Sequence, residues 1–453
     1  MGRLLNESVF GMGYIGLTTA VFMAEHIQVT CVEINPEKLD MLSRGVLPIY
    51  EPGLERAFKN VSDNLKFTDC PCSAIEETDI SFITVGTPSM PDGSQDLTSI
   101  NSVLTQIGKS LRNKKRSHTI VIKSTLLPGT TENHVIPLLE SSLGKSHGDS
   151  FHVFVNPEFT REGKSLQDLS NPDKIVIGTQ EQTQAKQLIK LYKTMYPIDV
   201  PRIVTSHNNA ELIKYTQNAF LATKLSFINT IANLCETIPQ TDIETISKAI
   251  SLDSRISPEY LKAGLGYGGS CLPKDLMALS WLTEQNKENV TLLKAVKNIN
   301  DGQALRAVRI AEKTLVSLSG KTVSILGLAF KPDTDDMREA PAIKIIKELL
   351  DKRAKIKVYD PRAMGTARKI FGSEIEYSLS INSCLDSSDC CIIVTEWDEF
   401  RNLTKNNFEK MNRPLVIDGR NCLNEVFDFL EYHRIGFAYK TTTLNSNEFG
   451  TFI

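Results

Sequence analysis

No hydrophobic run in the 453 residues comes near the roughly 18 apolar positions that a membrane-spanning helix needs, so no membrane partner is expected. An excess of charge of either sign is missing as well. Lys and Arg number 51 against 54 Asp and Glu, a net of −3, which leaves no general basic surface for a nucleic acid. The opening stretch, Met1 to Asn6, has neither the basic–apolar–small layout of a secretory leader nor the Ser or Thr of a myristoylation signal at position 6. A cytoplasmic protein is the expectation. Histidine is sparse, 7 scattered residues, and no two Cys or His pairs stand at zinc-ligand spacing, so no metal is expected. The 9 cysteines are odd in number and irregularly placed. Several sit in apolar runs such as Val29-Thr30-Cys31-Val32, as buried thiols of a reducing compartment do.

What is present is an alternation of short β-branched runs with longer amphipathic stretches, the texture of βα units around a parallel sheet. It predicts strands at Ser8–Phe10, Gln28–Glu33, Ile80–Val85, Thr119–Lys123, His152–Val155 and Lys174–Ile177. From Asn209 to Thr237 apolar residues recur at helical spacing with no Gly or Pro, predicting one long helix that bridges domains or forms a subunit interface. Two shorter helices broken near 222 are the alternative. The βα texture returns at Thr322–Leu326, Ala340–Lys352, Lys355–Tyr359, Cys390–Val394 and Pro414–Ile417. At about 150 residues per domain the length allows three. The expected organisation is an α/β N-terminal domain (1–205), a central helical domain (206–300), an α/β C-terminal domain (301–440) and a loose tail (441–453).

Gly11-Met12-Gly13-Tyr14-Ile15-Gly16 follows the first strand and opens a helix. Glycines there allow the tight turn, the approach of backbone to a pyrophosphate, and close helix–strand packing. Glu33 ends the second strand, where a carboxylate takes ribose hydroxyls and repels a 2′-phosphate, so NAD is favoured over NADP. Lys38, a little further on, keeps NADP open. Asn6-Glu7-Ser8 is unusually polar for a buried strand. In the second half, Gly327-Leu328-Ala329-Phe330-Lys331 keeps one glycine and places Phe and Lys where the later ones would stand. A pyrophosphate cannot approach that backbone as closely, but a lysine can meet a phosphate.

Cys271 follows the glycine-rich run Gly264–Ser270 and precedes Lys274 and Asp275. Glycines permit close approach to a ligand, and nearby cations favour a thiolate. Lys214 and Asn218 are four apart on the long helix, where a cation and an amide donor can stabilise a developing oxyanion. Asn156-Pro157-Glu158 follows a strand at its carboxyl end, where α/β sites lie, and makes Glu158 a candidate base.

These motifs, with Pro48–Leu54, Val85-Gly86-Thr87-Pro88, Lys123-Ser124-Thr125, Asn156–Phe159, Lys214–Asn218, Gly268–Asp275, Gly327–Pro341, Thr395–Trp397 and Asp418–Arg420, resemble the UDP-glucose/GDP-mannose dehydrogenase family in order from about residue 5 to 435. The resemblance implies two Rossmann-like parallel-sheet domains joined by a helical domain carrying the dimer contact, so self-association is expected. It implies a four-electron oxidation using two NAD. Cys271 is then the nucleophile, Lys214 and Asn218 the oxyanion stabilisers, and Asp275 positions water and lysine. Glu158 is the base, with Thr125 assisting. NAD falls to Gly11, Gly13, Tyr14, Ile15, Gly16, Glu33, Lys38, Thr87, Thr125, Glu162, Lys274 and Arg338. The nucleotide sugar falls to Glu158, Phe159, Thr160, Arg161, Glu162, Lys214, Asn218, Tyr260, Gly268, Lys331 and Arg420, with Arg255 reaching in from a second subunit. Tyr267 and Ile49-Tyr50 lean toward UDP-glucose over UDP-N-acetylhexosamine or GDP-mannose. A two-electron hydroxyacid dehydrogenase and a silent NAD binder are the rivals outside the family. Thr160 stands where Leu is usual, and Ser257-Pro258 where a Gly is common. The first departure bears on fine substrate preference, and both are expected to leave the chemistry untouched.

Overall fold

The structure is a computed structural model that describes residues 6–196 and 199–438. The tail expected at 441–453 lies outside them. Contacts divide the chain into two units, Met1–Ala219 with Lys274–Val290, and Phe220–Pro273 with Thr291–Ile453. The long helix His207–Cys235 and the helix Leu272–Gln285 each have residues in both.

Among the described residues the first unit holds an eight-stranded sheet. Its strands are β1 (Glu7–Phe10), β2 (Val29–Val32), β3 (Leu65–Thr68), β4 (Ile80–Ile83), β5 (His118–Ile122), β6 (Phe151–Val155), β7 (Ile175–Gly178) and β8 (Arg202–Thr205), in spatial order β3-β2-β1-β4-β5-β6-β7-β8. The first six are parallel and reproduce the 3-2-1-4-5-6 order of a dinucleotide-binding sheet. Successive residues of β1 serve opposite faces. Val9 packs with Leu17, Val21 and Phe82, whereas Phe10 packs with Ile83, Ile100 and Leu104.

Two strands depart from the all-parallel expectation: β7 meets β6 antiparallel, through the pair Val155–Gly178, and β8 follows β7 in parallel. The reason is the connection. Its only helix, Ser165–Ser170, has 6 residues and spans about 9 Å, too short to carry the chain back along the sheet. The next strand therefore starts from the same end.

The second unit holds a six-stranded parallel sheet of β9 (Thr322–Leu326), β10 (Lys355–Tyr359), β11 (Glu376–Tyr377), β12 (Cys390–Ile393), β13 (Leu415–Asp418) and β14 (Glu431–Arg434), ordered β11-β10-β9-β12-β13-β14. The long helix runs unbroken through position 222 over 29 residues, as the absence of Gly and Pro predicts. No described helix is long and apolar enough to cross a membrane. Six cysteines are buried, but Cys70 and Cys72 are exposed, so the core-thiol expectation does not hold for those two. They flank Pro71, at the start of a surface helix.

Candidate active site

The three glycines of the first turn do different work. Gly11 has φ +93°, and a Cβ there would stand 2.8 Å from the Val85 side chain. A Cβ on Gly16 would stand 1.9 Å from the Gly11 carbonyl oxygen, so helix Tyr14–Ala24 packs on the strand only because Gly16 has none. Gly13 faces open space, with nothing within 4 Å of its would-be Cβ. That opening, at a helix N-terminus, is the approach a pyrophosphate requires. Glu33 is buried, and its carboxylate accepts the Met12 N–H at 3.0 Å and the Asn35 N–H at 2.8 Å. Two oxygens offer about four acceptor directions, so room remains for ribose hydroxyls. These residues fit NAD. Lys38 is half-buried on the following helix, Pro36–Ser43. The Tyr14 hydroxyl accepts the Gly163 N–H at 2.9 Å, which ties the turn to the loop carrying Phe159–Glu162.

At the carboxyl ends of β5 and β6, within the first unit, the sheet and the long helix build a buried polar cluster. Lys214 Nζ lies 3.6 Å from Glu158 Oε1, both side chains almost fully buried. Asn218 Nδ2 donates to Asp275 Oδ2 at 2.6 Å, and Lys274 Nζ holds the other Asp275 oxygen at 2.7 Å. Lys214 and Asn218 thus share a helix face as expected, but each engages a different carboxylate. The Phe159 ring lies under two cations, Lys174 at 4.4 Å and Lys214 at 5.4 Å from its centroid.

Lys123, quoted for its motif but given no role by sequence, belongs to the same cluster. It is buried and donates to Asn156 Oδ1 at 3.1 Å. Its ammonium is pushed down to about 8, chiefly by burial and in part by the Lys214 charge, against the opposing pull of Glu158. Asn156 is itself fixed by the Tyr192 hydroxyl and by donation to the Val176 carbonyl. The signal for Lys123 was a lysine ending an apolar strand, a place where charge is costly.

Thr160 meets this cluster at Glu158. Both its hydroxyl and its N–H donate to Glu158 Oε2, the second at 2.6 Å. Arg161 is exposed and paired with Asp168, and Glu162 is half-buried. Glu51, also missed, accepts from Gly163 N–H at 2.7 Å and Ser165 N–H at 2.6 Å and so anchors this loop. Thr87 Oγ1 donates to the Thr125 carbonyl at 2.8 Å.

In the second unit, Cys271 is half-buried just before the helix Leu272–Gln285, with Ser270 Oγ 3.6 Å from its sulfur. The glycines before it are required by protein neighbours. A Cβ on Gly268 would stand 2.3 Å from the Glu339 carbonyl oxygen, and one on Gly269 2.7 Å from the Phe330 ring. At those two positions the packing of the protein by itself requires glycine. The loop is held by amides that the sequence did not single out. Asn229 accepts the Gly264 N–H, Gln303 donates to the Gly264 carbonyl, and Asn300 makes two bonds to Tyr267. Arg420 donates to the Gly266 and Val394 carbonyls. Lys331 lies half-buried beside Phe330. Tyr260, at φ +62°, takes a left-handed conformation that an aromatic residue rarely adopts outside constrained sites. Arg255 and Arg338 are exposed, paired with Asp253 and Asp336. The described residues place no group of three His, Cys, Asp or Glu to hold a metal ion.

A dinucleotide turn, a carboxylate at the ribose position and a buried Lys–Glu and Asn–Asp cluster define the class, a dinucleotide-dependent α/β enzyme. The chain matches the UDP-glucose/GDP-mannose dehydrogenase family in three consecutive pieces: the NAD binding domain over residues 6–196, the central domain over 208–302 and the UDP binding domain over 324–425. It is 40% identical over 440 residues to the UDP-glucose 6-dehydrogenase YwqF of Bacillus subtilis, covering 95% of this chain and 98% of that one. A UDP-glucose dehydrogenase structure from Pyrobaculum islandicum superposes with a TM-score of 0.89 at 37% identity, over 96% of this chain and 98% of that one. A UDP-D-ManNAc dehydrogenase structure from Pyrococcus horikoshii superposes at 0.84 with 26% identity, over 95% and 99%. The chain belongs to the UDP-glucose/GDP-mannose dehydrogenase family. It is an oxidoreductase of nucleotide sugars, with NAD as its cofactor.

Proposed function

We propose that the chain oxidises UDP-glucose to UDP-glucuronate, a four-electron reaction through a covalent intermediate on Cys271. The observation that carries this reading is the buried cluster of Lys214, Glu158, Asn218 and Asp275, with a half-buried thiol three residues before Lys274. UDP-glucose is favoured over an N-acetylated sugar by identities of 37–40% to UDP-glucose enzymes against 26% to the UDP-D-ManNAc enzyme.

Bound NAD⁺ supplies the hydride acceptor, two molecules in succession for each sugar. Lys214 and Asn218 stabilise the negative oxygen while the 6-hydroxymethyl carbon is oxidised to the aldehyde. Cys271 Sγ adds to that carbon, giving a thiohemiacetal whose oxidation leaves a thioester. Water, positioned by Asp275 and deprotonated by Glu158 with Thr125 assisting, releases the carboxylate and restores the thiol. Lys331, Arg420, Tyr260 and the Phe159–Glu162 loop hold the UDP-sugar, while Lys274, Glu162 and Arg338 complete the NAD contacts. A cytoplasmic location agrees with nine free thiols.

Self-association is part of the proposal. Phe220, Phe227 and Leu234 of the long helix recur every seventh residue and are 64%, 54% and 52% exposed, a stripe suited to a second copy. Sedimentation of Phe227→Asp is expected to show a smaller species than wild type. An unchanged species would remove this face from the interface.

The activity test counts NADH per sugar consumed across a panel of nucleotide sugars. Two NADH per UDP-glucose is the expected result. One points to a two-electron enzyme, and turnover only with another sugar moves the substrate. Cys271→Ser is expected to lose formation of the acid by about a thousandfold or more. Full acid production by that variant would sink the thioester route.

A further inference from the structure

Residues 123–131 leave β5 as a loop that carries Thr125, and Thr87, the half-buried Gln95 and, on the long helix, the buried Glu211 and Tyr215 hold this loop in place. The Thr125 carbonyl accepts two side-chain donors, Thr87 Oγ1 at 2.8 Å and Gln95 Nε2 at 2.9 Å. Gln95 Nε2 also donates to the Tyr215 hydroxyl at 2.8 Å, and its Oε1 accepts the Leu127 N–H at 2.8 Å. Further along, Glu211 accepts three donors from the same loop: Gly129 N–H at 2.8 Å, Thr131 N–H at 3.0 Å and Thr131 Oγ1 at 2.6 Å.

Glu211 and Tyr215 stand four apart and share one helix face, with Lys214 and Asn218 on the adjoining one. One rigid turn of helix therefore sets both the reacting lysine and the loop that carries Thr125. The chemistry of Glu211 suits the task. Both carboxylate oxygens are used, and a neutral amide has only one acceptor oxygen, so its NH₂ would face a donor. The carboxylate is kept there at a cost. It is 2% exposed, and burial pushes it up to about 7 even though the three hydrogen bonds pull it down. Thr131 also begins the π-helical turn Thr131–Val135, a strained element that recurs at functional sites, and Glu211 satisfies its first N–H.

We propose that Glu211, acting with Gln95, is a positioning residue that fixes the Thr125 loop against the Lys214–Asn218 face, so that cofactor and reacting lysine keep one register. The proposal rests on the reading of Thr125 given under Proposed function. A displacement of about 1 Å at a reacting group costs on the order of a hundredfold in rate, which is the scale expected.

The test compares Glu211→Ala, Glu211→Gln and Gln95→Met with wild type, below each variant's melting temperature. The readouts are NAD⁺ affinity by titration, kcat and KM for UDP-glucose, and amide hydrogen exchange over residues 123–131. Glu211→Ala is expected to lose about a hundredfold in kcat and to exchange faster in that loop alone, with KM for the sugar within about twofold of wild type. Glu211→Gln, which keeps one oxygen, is expected to fall between. Should Glu211→Ala fail to fold, Glu211→Gln and Gln95→Met carry the same comparison. Variants that melt earlier but keep kcat, NAD⁺ affinity and loop exchange would make Glu211 merely structural and overturn the proposal. So would strictly additive losses in the Glu211→Gln, Gln95→Met double variant, because members of one clamp must couple. If wild type oxidises no UDP-glucose the functional reading fails, while NAD⁺ titration and exchange still decide this one.

Discussion

Strand β1 runs into Gly11 and strand β9 into Gly327, and the two junctions share a frame. The glycines have φ +93° and +97°, and each donates its N–H to the neighbouring strand, Gly11 to Val32 at 2.8 Å and Gly327 to Tyr359 at 2.9 Å. An acid follows that neighbouring strand in both, Glu33 after β2 and Asp360 after β10. Beyond this the two diverge. Glu33 takes two N–H donors and keeps acceptor capacity, and a helix starts at once, at Tyr14. Asp360 accepts the N–H groups of Leu328, Ala329, Arg362 and Ala363 together with Trp397 Nε1. Its helix starts only at Pro341. The same local geometry leaves acceptor capacity open in one unit and is taken up by the fold itself in the other. What separates them is how many protein donors the acid already satisfies.

The largest expected effect comes from exchanging those roles. Asp360→Ala orphans five donors, at least about 3 kcal/mol of stability, and should melt much earlier while NAD⁺ affinity stays near wild type. Glu33→Ala should do the reverse, with a modest loss of stability and NAD⁺ binding weakened about tenfold or more. Thermal melts and NAD⁺ titration of both variants check the pair, and equal effects on both readouts would erase the distinction.

A smaller effect concerns the strands behind the turns. Counting back from each glycine pairs Glu7 with Val323 and Ser8 with Ser324, all four buried. Among the described residues neither Glu7 carboxylate oxygen has a hydrogen-bond partner, and burial first, then the Asp79 charge, raises its carboxyl from 4.5 to about 8. The folded state therefore holds a proton that the unfolded chain releases, so stability falls as pH rises from about 4.5 through 8. Glu7→Gln should flatten this dependence and add on the order of 2 kcal/mol at pH 9, with no gain at pH 4. Denaturant melts across that range decide it, and a gain independent of pH would mean that the charge is not the cause.

Local physics made the turn legible, because Gly11, Gly13, Gly16 and Glu33 act within one βαβ unit. The long helix was readable because 29 residues without Gly or Pro leave no other regular choice. Edge strands were not. β3 and β8 mix charge with apolar residues, and β11 and β14 are short and charged, as edges exposed to solvent tend to be. Asp360 was visible in principle, being an acid after a strand just as Glu33 is. Gln95 and Glu211 were not, since their partners lie 30 to 120 residues away and only the fold brings them together.

The discontinuity of the first unit sets an order in time. Tyr215 and Leu127 are covered by Ala278, Leu279, Trp281 and Leu282, and Asn218 finds its carboxylate at Asp275. None of these exists in the nascent chain until residues 220–273 have been made. At about 5–20 residues per second, that is a wait of roughly 3–10 s during which the first sheet is complete but its apolar patch is bare. The ribosome thus releases the start of the long helix before the segment that seals it. Any step that slows translation through 220–273 prolongs the interval in which this patch can be captured by a chaperone or a neighbouring chain.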